Sequence, residues 1–198
     1  MYQKGRAWIE LNMEHLKHNI RQFRRLLPAG CALMPAVKAN AYGHGAALVS
    51  KALQEQGIKS FCVASAAEGI ELRRAGISGE ILVLGYTHPR QFGELAAYRL
   101  TQTVVDASYA RELQQDGRYF TVHVGIDTGM HRLGERWDNL DEIVKIFQTP
   151  NLHVAGIYSH LCVSDMAGEK AQEYTLEQIH HFEYVAEELH RRGFHGFK

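Results

Sequence analysis

The sequence predicts a parallel α/β fold, either an open doubly wound sheet or a (β/α)8 barrel. Two observations predict it. Short apolar runs alternate with longer segments whose apolar residues recur every three or four positions, which is typical of strands alternating with amphipathic helices. The apolar runs are nearly continuous, as expected for strands buried on both faces of a parallel sheet. These patterns do not separate the two architectures.

The chain begins with a short strand-like run at residues 7–11, followed by a helix. The apolar stripe of this helix consists of Leu16, Ile20, Phe23 and Leu27. Pro28 and Gly30 are expected to end it, because proline cannot continue a helix and glycine adopts the left-handed conformation that often follows one.

Six strands then alternate with helices. We predict the strands at residues 31–37, 61–65, 81–86, 100–105, 120–126 and 152–158. We predict the helices between them at residues 46–56, 66–75, 89–98, 108–115 and 140–147. Gly57 and Gly76 fit the position just after a helix, Pro89 fits a first turn, and Asp138 with Asn139 resembles a helix-capping signal.

A final helix is predicted at residues 175–192, since Thr175 and Gln178 have the spacing of a capping box. Gly193 would end that helix. Residues 194–198 then resemble the start of a seventh strand.

Composition indicates an ordinary globular protein with no charge bias. Lys plus Arg and Asp plus Glu are both 22, so the net charge favours neither nucleic acid nor an anionic membrane as a partner. The three cysteines are far apart and lie in or beside apolar runs, which fits a reduced cytoplasmic compartment better than a disulfide framework. We find no secretory signal and no uncharged apolar run of roughly 18 to 20 residues, the length that crosses a bilayer.

Residues 36–45, with the sequence AVKANAYGHG, are the most informative stretch. Lys38 follows an apolar strand and has no neighbouring carboxylate, and a desolvated lysine is a nucleophile able to form a Schiff base. Tyr42 offers a phenol hydroxyl, while Gly43 and Gly45 would let the backbone approach an anion. The alternative is a lysine that extends to solvent beside an ordinary glycine-rich turn.

Residues 125–134, GIDTGMHRLG, also follow a strand and present Arg132. A guanidinium there could bind a carboxylate or a phenolate oxygen. A surface arginine on a plain turn is the alternative. His160 lies at the end of the sixth predicted strand, where it could contact a cofactor ring, although one histidine among 12 is more often structural.

Other motifs are poorly supported. The glycines at 43 and 45 lack the third glycine and the later acidic residue of a dinucleotide fingerprint. The sequence contains no phosphate-binding loop of the Walker type, no His-Glu-x-x-His and no Cys-x-x-Cys. We therefore expect no metal site.

The segment 36–45 closely resembles the pyridoxal 5′-phosphate attachment motif of the alanine racemase family, and residues 127–134 resemble the family's Asp-Thr-Gly-Met-x-Arg-x-Gly motif. The resemblance implies a (β/α)8 barrel. Such a barrel needs about 250 residues, so residues 1–198 would form an N-terminal barrel domain cut off after about six β/α units. The C-terminal β-domain of the family, with which residues 7–11 would associate, would be absent.

The resemblance also implies residue roles. Lys38 would hold the cofactor covalently and act as a catalytic base, and Tyr42 would bind its phosphate. Leu84 and His160 would border its ring, and Arg132 would contact both the cofactor oxygen and the substrate carboxylate. Gly125 departs from the family, because many members carry a lysine there, often carbamylated, that orients the arginine. An anion, a water molecule or another residue could fill that place.

The implied function is a homodimeric, cytoplasmic isomerase that interconverts L- and D-alanine for peptidoglycan precursors. The family takes its second base from a tyrosine of the other subunit's C-terminal domain, so we expect this polypeptide alone to have little activity. One alternative is the cytoplasmic racemase domain of a membrane-anchored vancomycin-resistance serine racemase. Others are a non-catalytic homeostasis protein that binds pyridoxal phosphate and a fold-related decarboxylase.

Overall fold

The computed structural model describes residues 6–198, in two compact units, one ending at Leu84 and the other running from Gly85 to Lys198. The first unit contains the helices α1 (Met13–Leu26), α2 (Lys38–Tyr42), α3 (Ala46–Glu55) and α4 (Ala66–Arg74), and the strands β1 (Ser60–Val63) and β2 (Glu80–Val83). The second contains the strands β3 (Thr101–Val104), β4 (Phe120–Asp127), β5 (Glu135–Arg136) and β6 (Leu152–Tyr158). Its helices are α5 (Phe92–Ala97), which follows a 3₁₀ turn at Pro89–Gln91, α6 (Ala107–Asp116), α7 (Leu140–Phe147) and α8 (Glu169–Arg191).

In the first unit β1 and β2 pair in parallel, with Phe61 opposite Ile81 and Val63 opposite Val83. Both side chains of each pair are fully buried, so these short strands form the centre of the core. Residue 36 adds a parallel bridge to Cys62 on the other side of β1.

In the second unit β4 is the central strand, and it pairs in parallel with β3, β5 and β6. The register with β6 places Gly125 opposite Tyr158. Leu113 of α6, Ile143 of α7 and Leu189 of α8 are fully buried, as expected for helices that cover a parallel sheet. Every strand pairing in either unit is parallel, which confirms the predicted parallel α/β class.

Where glycine follows the helix, the predicted ends of α3 and α4 lie within one residue of the observed ends. Gly57 and Gly76 both have the positive φ expected after a helix, 79° and 86°. Helix α7 has the predicted bounds, although Asn139 makes no capping bond and Asp138 instead pairs with Arg136. Five of the six predicted strands are present, with bounds that differ from the predicted ones by at most three residues.

Three predictions were wrong. Residues 7–11 form no strand, and Trp8 and Ile9 are 56% and 70% exposed, because no described strand pairs with them. The strand at 31–37 is reduced to a single bridge at its C-terminal end. Helix α8 begins at Glu169 after Gly168, and Thr175 donates to the Ala171 carbonyl within the helix instead of capping it.

The predicted seventh strand has a counterpart in the backbone of Lys198. Its N–H donates to the Ala155 carbonyl at 2.9 Å, and its carbonyl accepts from the Ile157 N–H at 2.9 Å. Two such bonds to alternate residues of one strand are the parallel pattern. Residue 198 therefore continues the sheet next to β6.

Candidate functional site

Lys38 directly follows the strand-like end of the segment before β1. Val37 donates its N–H to the Cys62 carbonyl at 2.8 Å, and the Cys62 N–H donates to Pro35 at 2.9 Å. This pairing places Lys38 at the carboxyl end of a parallel strand, where the functional loops of α/β folds gather. Lys38 is half-buried, and among the described residues none forms an ion pair with its amine.

The helical turn α2, which starts at Lys38, is left-handed. Residues 39–42 have φ between 50° and 54°, and none of them is glycine. A left-handed helical residue other than glycine costs roughly 1–2 kcal/mol, because its Cβ approaches the following carbonyl oxygen. Such a turn persists only where the surrounding structure restrains it.

Side-chain and backbone hydrogen bonds within the turn supply part of that restraint. The Asn40 side chain accepts from the Ala46 N–H at 2.8 Å, and its carbonyl accepts from the Gly45 N–H at 2.9 Å. The Ala41 N–H donates to Val37 at 2.9 Å. Asn40 thereby ties the turn to the start of α3.

Tyr42, at the end of this turn, is 63% exposed. A Cβ placed on the next residue, Gly43, would meet no atom within 4 Å, so the backbone beside the Tyr42 phenol is open. Leu84 lies one residue beyond β2, half-buried, and its N–H donates to Val63 at 2.8 Å. Lys38 and Leu84 therefore follow strands of the same unit.

The first unit also contains a cavity of about 750 Å³, lined largely by apolar residues of α1, residues 33–37 and α3. Tyr42 and His44 contribute to its wall, but Lys38 and Leu84 do not. Because it lacks the amine, this cavity is not the predicted site.

In the second unit, the turn that precedes Arg132 is built around Asp127, which is 8% exposed at the end of β4. One carboxylate oxygen accepts from the N–H groups of Gly129 and His131 at 3.0 and 2.9 Å, and the other lies 3.0 Å from the His131 ring nitrogen Nδ1. Burial by itself would raise the pKa of Asp127, but the hydrogen bonds from His131 and Gly129 outweigh it and hold the pKa below its ordinary value.

Gln178 of α8 joins the turn after β4 to the segment after β6. It is fully buried, and its amide group donates to the Thr128 hydroxyl at 3.1 Å and to the His160 carbonyl at 3.2 Å. Its side-chain oxygen accepts from the Cys162 N–H at 3.1 Å. The Thr128 hydroxyl also lies 2.8 Å from that of Ser159. The backbone beside the exposed His160 ring is thus held by a side chain 18 residues farther along the chain.

Arg132 itself is exposed on the loop between β4 and β5, and no described residue pairs with its guanidinium. Gly125, where a lysine would be expected in the family, faces two hydroxyl-bearing side chains. A Cβ on Gly125 would lie 3.5 Å from Thr103 and 3.7 Å from the Tyr158 hydroxyl, and these two hydroxyls are 3.1 Å apart. Tyr158 and Thr103 therefore occupy the space beside Gly125.

The five predicted site residues fall into two sets. Lys38, Tyr42 and Leu84 belong to the first unit, and Arg132 and His160 belong to the second. Arg132 and His160 follow the carboxyl ends of β4 and β6, and Lys38 follows the parallel bridge at residue 36, as predicted. Leu84 was predicted inside its strand but lies one residue beyond β2.

Sequence reasoning missed the residues that shape these turns. Gln178 was assigned to a capping box, although a glutamine on the apolar face of a helix is itself a signal of a buried polar role. Asp127 and Asn40 lay inside the two informative motifs, but only the longer functional side chains beside them received roles.

Other kinds of site receive no support from the part of the chain that the structure describes. No group of three or more His, Cys, Asp and Glu side chains there could hold a metal ion. No helix within residues 6–198 is long and apolar enough to span a membrane. Burial, aided by the charge of Glu80 and opposed by Lys38, raises the pKa of the Cys62 thiol to about 11, so this thiol is a poor nucleophile at neutral pH.

The chain is similar to known proteins of one family. Residues 11–197 match the family model described as the N-terminal domain of alanine racemase. The chain is 39% identical over 191 residues to an alanine racemase of Carboxydothermus hydrogenoformans, covering 94% of this chain and 51% of that protein. It is 40% identical over 187 residues to a serine/alanine racemase of Enterococcus gallinarum, covering 94% of this chain and 27% of that protein.

Among solved structures, the chain is similar to an alanine racemase of Clostridium difficile 630 in complex with cycloserine. The TM-score is 0.87 at 31% identity, over 93% of this chain and 52% of that one. The likeness confirms the predicted (β/α)8 barrel class. The chain spans about half the length of this structure and of the first relative, and about a quarter of the second.

Proposed function

Because this chain belongs to the alanine racemase family, we propose that it is the cofactor-binding part of an isomerase, a pyridoxal 5′-phosphate-dependent racemase that interconverts L- and D-alanine. The observation that supports this most strongly is the left-handed turn of residues 39–42, which follows a half-buried lysine and ends in an exposed tyrosine. Strained turns of non-glycine residues concentrate at functional sites.

The residues of this turn fit the chemistry of the cofactor. Pyridoxal phosphate carries an aldehyde, which a primary amine can bind covalently, and a phosphate, which hydroxyl and N–H donors can bind. Lys38 supplies the amine, and no carboxylate among residues 6–198 pairs with it. Tyr42 supplies an exposed hydroxyl, and the open backbone at Gly43 leaves room beside it.

We assign the remaining roles as follows. Leu84 borders the cofactor ring from the end of β2, and His160 does so from the end of β6. Arg132 binds the cofactor oxygen and the substrate carboxylate, for which its planar guanidinium is suited. The Asp127 turn and Gln178 hold the backbone that carries these two side chains.

The bound cofactor withdraws electrons from the substrate and makes its α-proton acidic. Racemisation removes that proton from one face of the α-carbon and delivers a proton to the other face, so it requires an acid–base group on each face. Lys38 serves one face through its amine. The second base, the homodimer, the cytoplasmic location and the supply of peptidoglycan precursors are parts of the proposal for the whole protein.

A second candidate substrate is serine, because a serine/alanine racemase is 40% identical to this chain. The two substrates differ by one hydroxyl group. A site that hydrogen-bonds that hydroxyl would racemise serine at a rate comparable to alanine, whereas an apolar site would favour alanine.

The decisive experiment is chemical trapping of the cofactor. The protein is incubated with pyridoxal phosphate and reduced with borohydride, and its peptides are then analysed by mass spectrometry. We expect the cofactor mass on the peptide that contains Lys38, and its loss in Lys38→Ala. Lys51→Ala, which removes an exposed lysine of α3, is the matched control.

Trapping on many surface lysines alike, or unchanged trapping in Lys38→Ala, would refute the assignment. Racemisation is measured separately on the whole protein, which supplies the second base, with L-alanine and L-serine and a D-amino-acid oxidase readout. Residues 1–198 alone should show little turnover of either substrate. The ratio of the two rates decides between the substrates.

A further inference from the structure

Glu68 of α4 makes a contact that reaches the residue next to Lys38. One of its carboxylate oxygens accepts from the Ala39 N–H at 2.9 Å, and the other accepts from the Ala64 N–H at 2.7 Å. Ala39 is the first left-handed residue of α2, and Ala64 is the residue that follows β1. A single carboxylate therefore joins two strand ends of the first unit.

The position of Glu68 in its own helix makes this contact informative. Ser65 is the N-cap of α4, and its hydroxyl accepts from the Glu68 N–H at 3.4 Å. A glutamate three residues after a serine cap usually turns back to the N–H of that serine, forming a capping box. The Glu68 carboxylate instead accepts from the N–H groups of Ala64 and Ala39. It therefore links the start of α4 to the left-handed turn that follows Lys38.

The bond between the Ala39 N–H and Glu68 restrains the start of the left-handed turn. Hydrogen bonds from Asn40 restrain its later part, at the junction with α3. At its start, the amide of Ala39 has the Glu68 carboxylate as its partner, on a residue with a φ of 50°. Without an acceptor there, the backbone would be free to return to the ordinary right-handed region, and the direction of the Lys38 side chain would change with it.

We propose that Glu68 is the positioning residue of Lys38. Its carboxylate holds the Ala39 amide in the left-handed conformation and so fixes where the lysine amine meets the cofactor, without touching the cofactor itself. This inference rests on the proposed function in one respect only, namely that Lys38 is the attachment point.

The test uses Glu68→Gln, which keeps the size of the side chain but leaves one acceptor oxygen for two N–H groups. Glu71→Gln is the matched control, because Glu71 is an exposed residue of the same helix. A hydrogen bond to a charged group is strong enough that its loss should speed amide exchange at Ala39 by about 10- to 100-fold. This is measured on the protein without cofactor.

The second readout is the affinity of pyridoxal phosphate for Lys38, from a titration trapped with borohydride. We expect an affinity about tenfold weaker or more in Glu68→Gln, with the global unfolding transition changed far less than the exchange at Ala39. Glu71→Gln should match the parent protein in both measurements. Should Glu68→Gln fail to fold, Glu68→Asp, whose shorter side chain cannot span both amides, replaces it.

Unchanged exchange at Ala39, or unchanged cofactor affinity despite faster exchange, would overturn the inference about Glu68. Failure of the parent protein to attach the cofactor at Lys38 would instead overturn the proposed function. The two failures are therefore distinguishable in one set of samples.

Discussion

Replacing Asp127 with alanine is the most direct test of how the loop that carries Arg132 is held. The Asp127 side chain is 8% exposed and accepts hydrogen bonds from the backbone of Gly129 and His131 and from the His131 ring. Alanine removes all three and leaves two amide N–H groups without their acceptor. His131 has a φ of 55°, so its backbone also loses the partner that holds it in the left-handed region.

The expected loss of stability follows from these contacts. A hydrogen bond to a charged group contributes about 1.5–3 kcal/mol. Because the turn lies near the surface, water can replace part of each bond, so we take the lower figure for the two amide bonds and count nothing for the exposed His131 ring. Asp127→Ala should then lower the free energy of unfolding by about 3 kcal/mol. Asp127→Asn keeps one acceptor oxygen and should lower it by about 1 kcal/mol.

Urea unfolding at pH 7, followed by circular dichroism, measures both values. Asp165→Ala is the control, because Asp165 is exposed on a loop of the same unit and should change the stability by less than about 0.5 kcal/mol. A loss below about 1 kcal/mol in Asp127→Ala would show that the two amide bonds do not hold the turn, since two hydrogen bonds to a carboxylate should contribute more even where water replaces part of each.

The lowered pKa of Asp127 also determines how the stability of the same variants depends on pH. The pKa of Asp127 is lowered in the folded protein, so its carboxylate stabilises the fold fully above the unfolded pKa, about 3.9. That stabilisation is lost as the pH falls through the lower folded value. The stability difference between the parent and Asp127→Asn should therefore be constant from pH 7 to about 5 and shrink below about 4. A difference that grows on acidification would contradict the bonding pattern.

Three further predictions concern other parts of the chain. Gly134→Ala should destabilise the protein by more than about 2 kcal/mol in the same urea assay, since its Cβ would lie 2.8 Å from the Gly125 carbonyl oxygen. Gly125→Ala is the control and should fold normally, because its Cβ would make only ordinary contacts. Gln178→Ala should lower the free energy of unfolding by about 2–4 kcal/mol, because it removes three buried bonds and opens a cavity. Iodoacetamide at pH 8 should alkylate exposed Cys31 well before Cys62, whose thiol has a pKa of about 11 and is buried; equal rates by mass spectrometry would contradict this.

Regular elements of this fold could be predicted because local sequence determines them. The bounds of α7 were correct since residues 140–147 repeat apolar positions at helical spacing and the buried Ile143 and Ile146 lie on one face. Strands β1, β2, β4 and β6 were found because apolar residues predominate in each. Strand β3 was found from the apolar residues that flank its polar residues 101–103. Residues 7–11 have a similar pattern but form no strand, so the pattern alone is not sufficient.

The position of the lysine could be predicted, but the shape of its turn could not. Lys38 was placed at a strand end, and the pairing of Val37 with Cys62 agrees. Nothing in residues 39–42 predicts left-handed backbone, because alanine and tyrosine rarely adopt it. The conformation depends on an acceptor 29 residues away, in Glu68 of α4.

The two turns that carry the proposed functional side chains are stabilised in the same way. Ala39 and His131 both have positive φ, and each directly adjoins a residue with a proposed role, Lys38 in one case and Arg132 in the other. In both turns the N–H of the strained residue donates to a buried or half-buried carboxylate of its own unit, Glu68 at 2.9 Å and Asp127 at 2.9 Å. A carboxylate suits this task because it accepts several N–H groups at once and strengthens each bond by its charge. Neutralising either acid should therefore loosen the turn it holds while the helices and strands around it remain folded, which is the behaviour expected of residues that position a site without forming its surface.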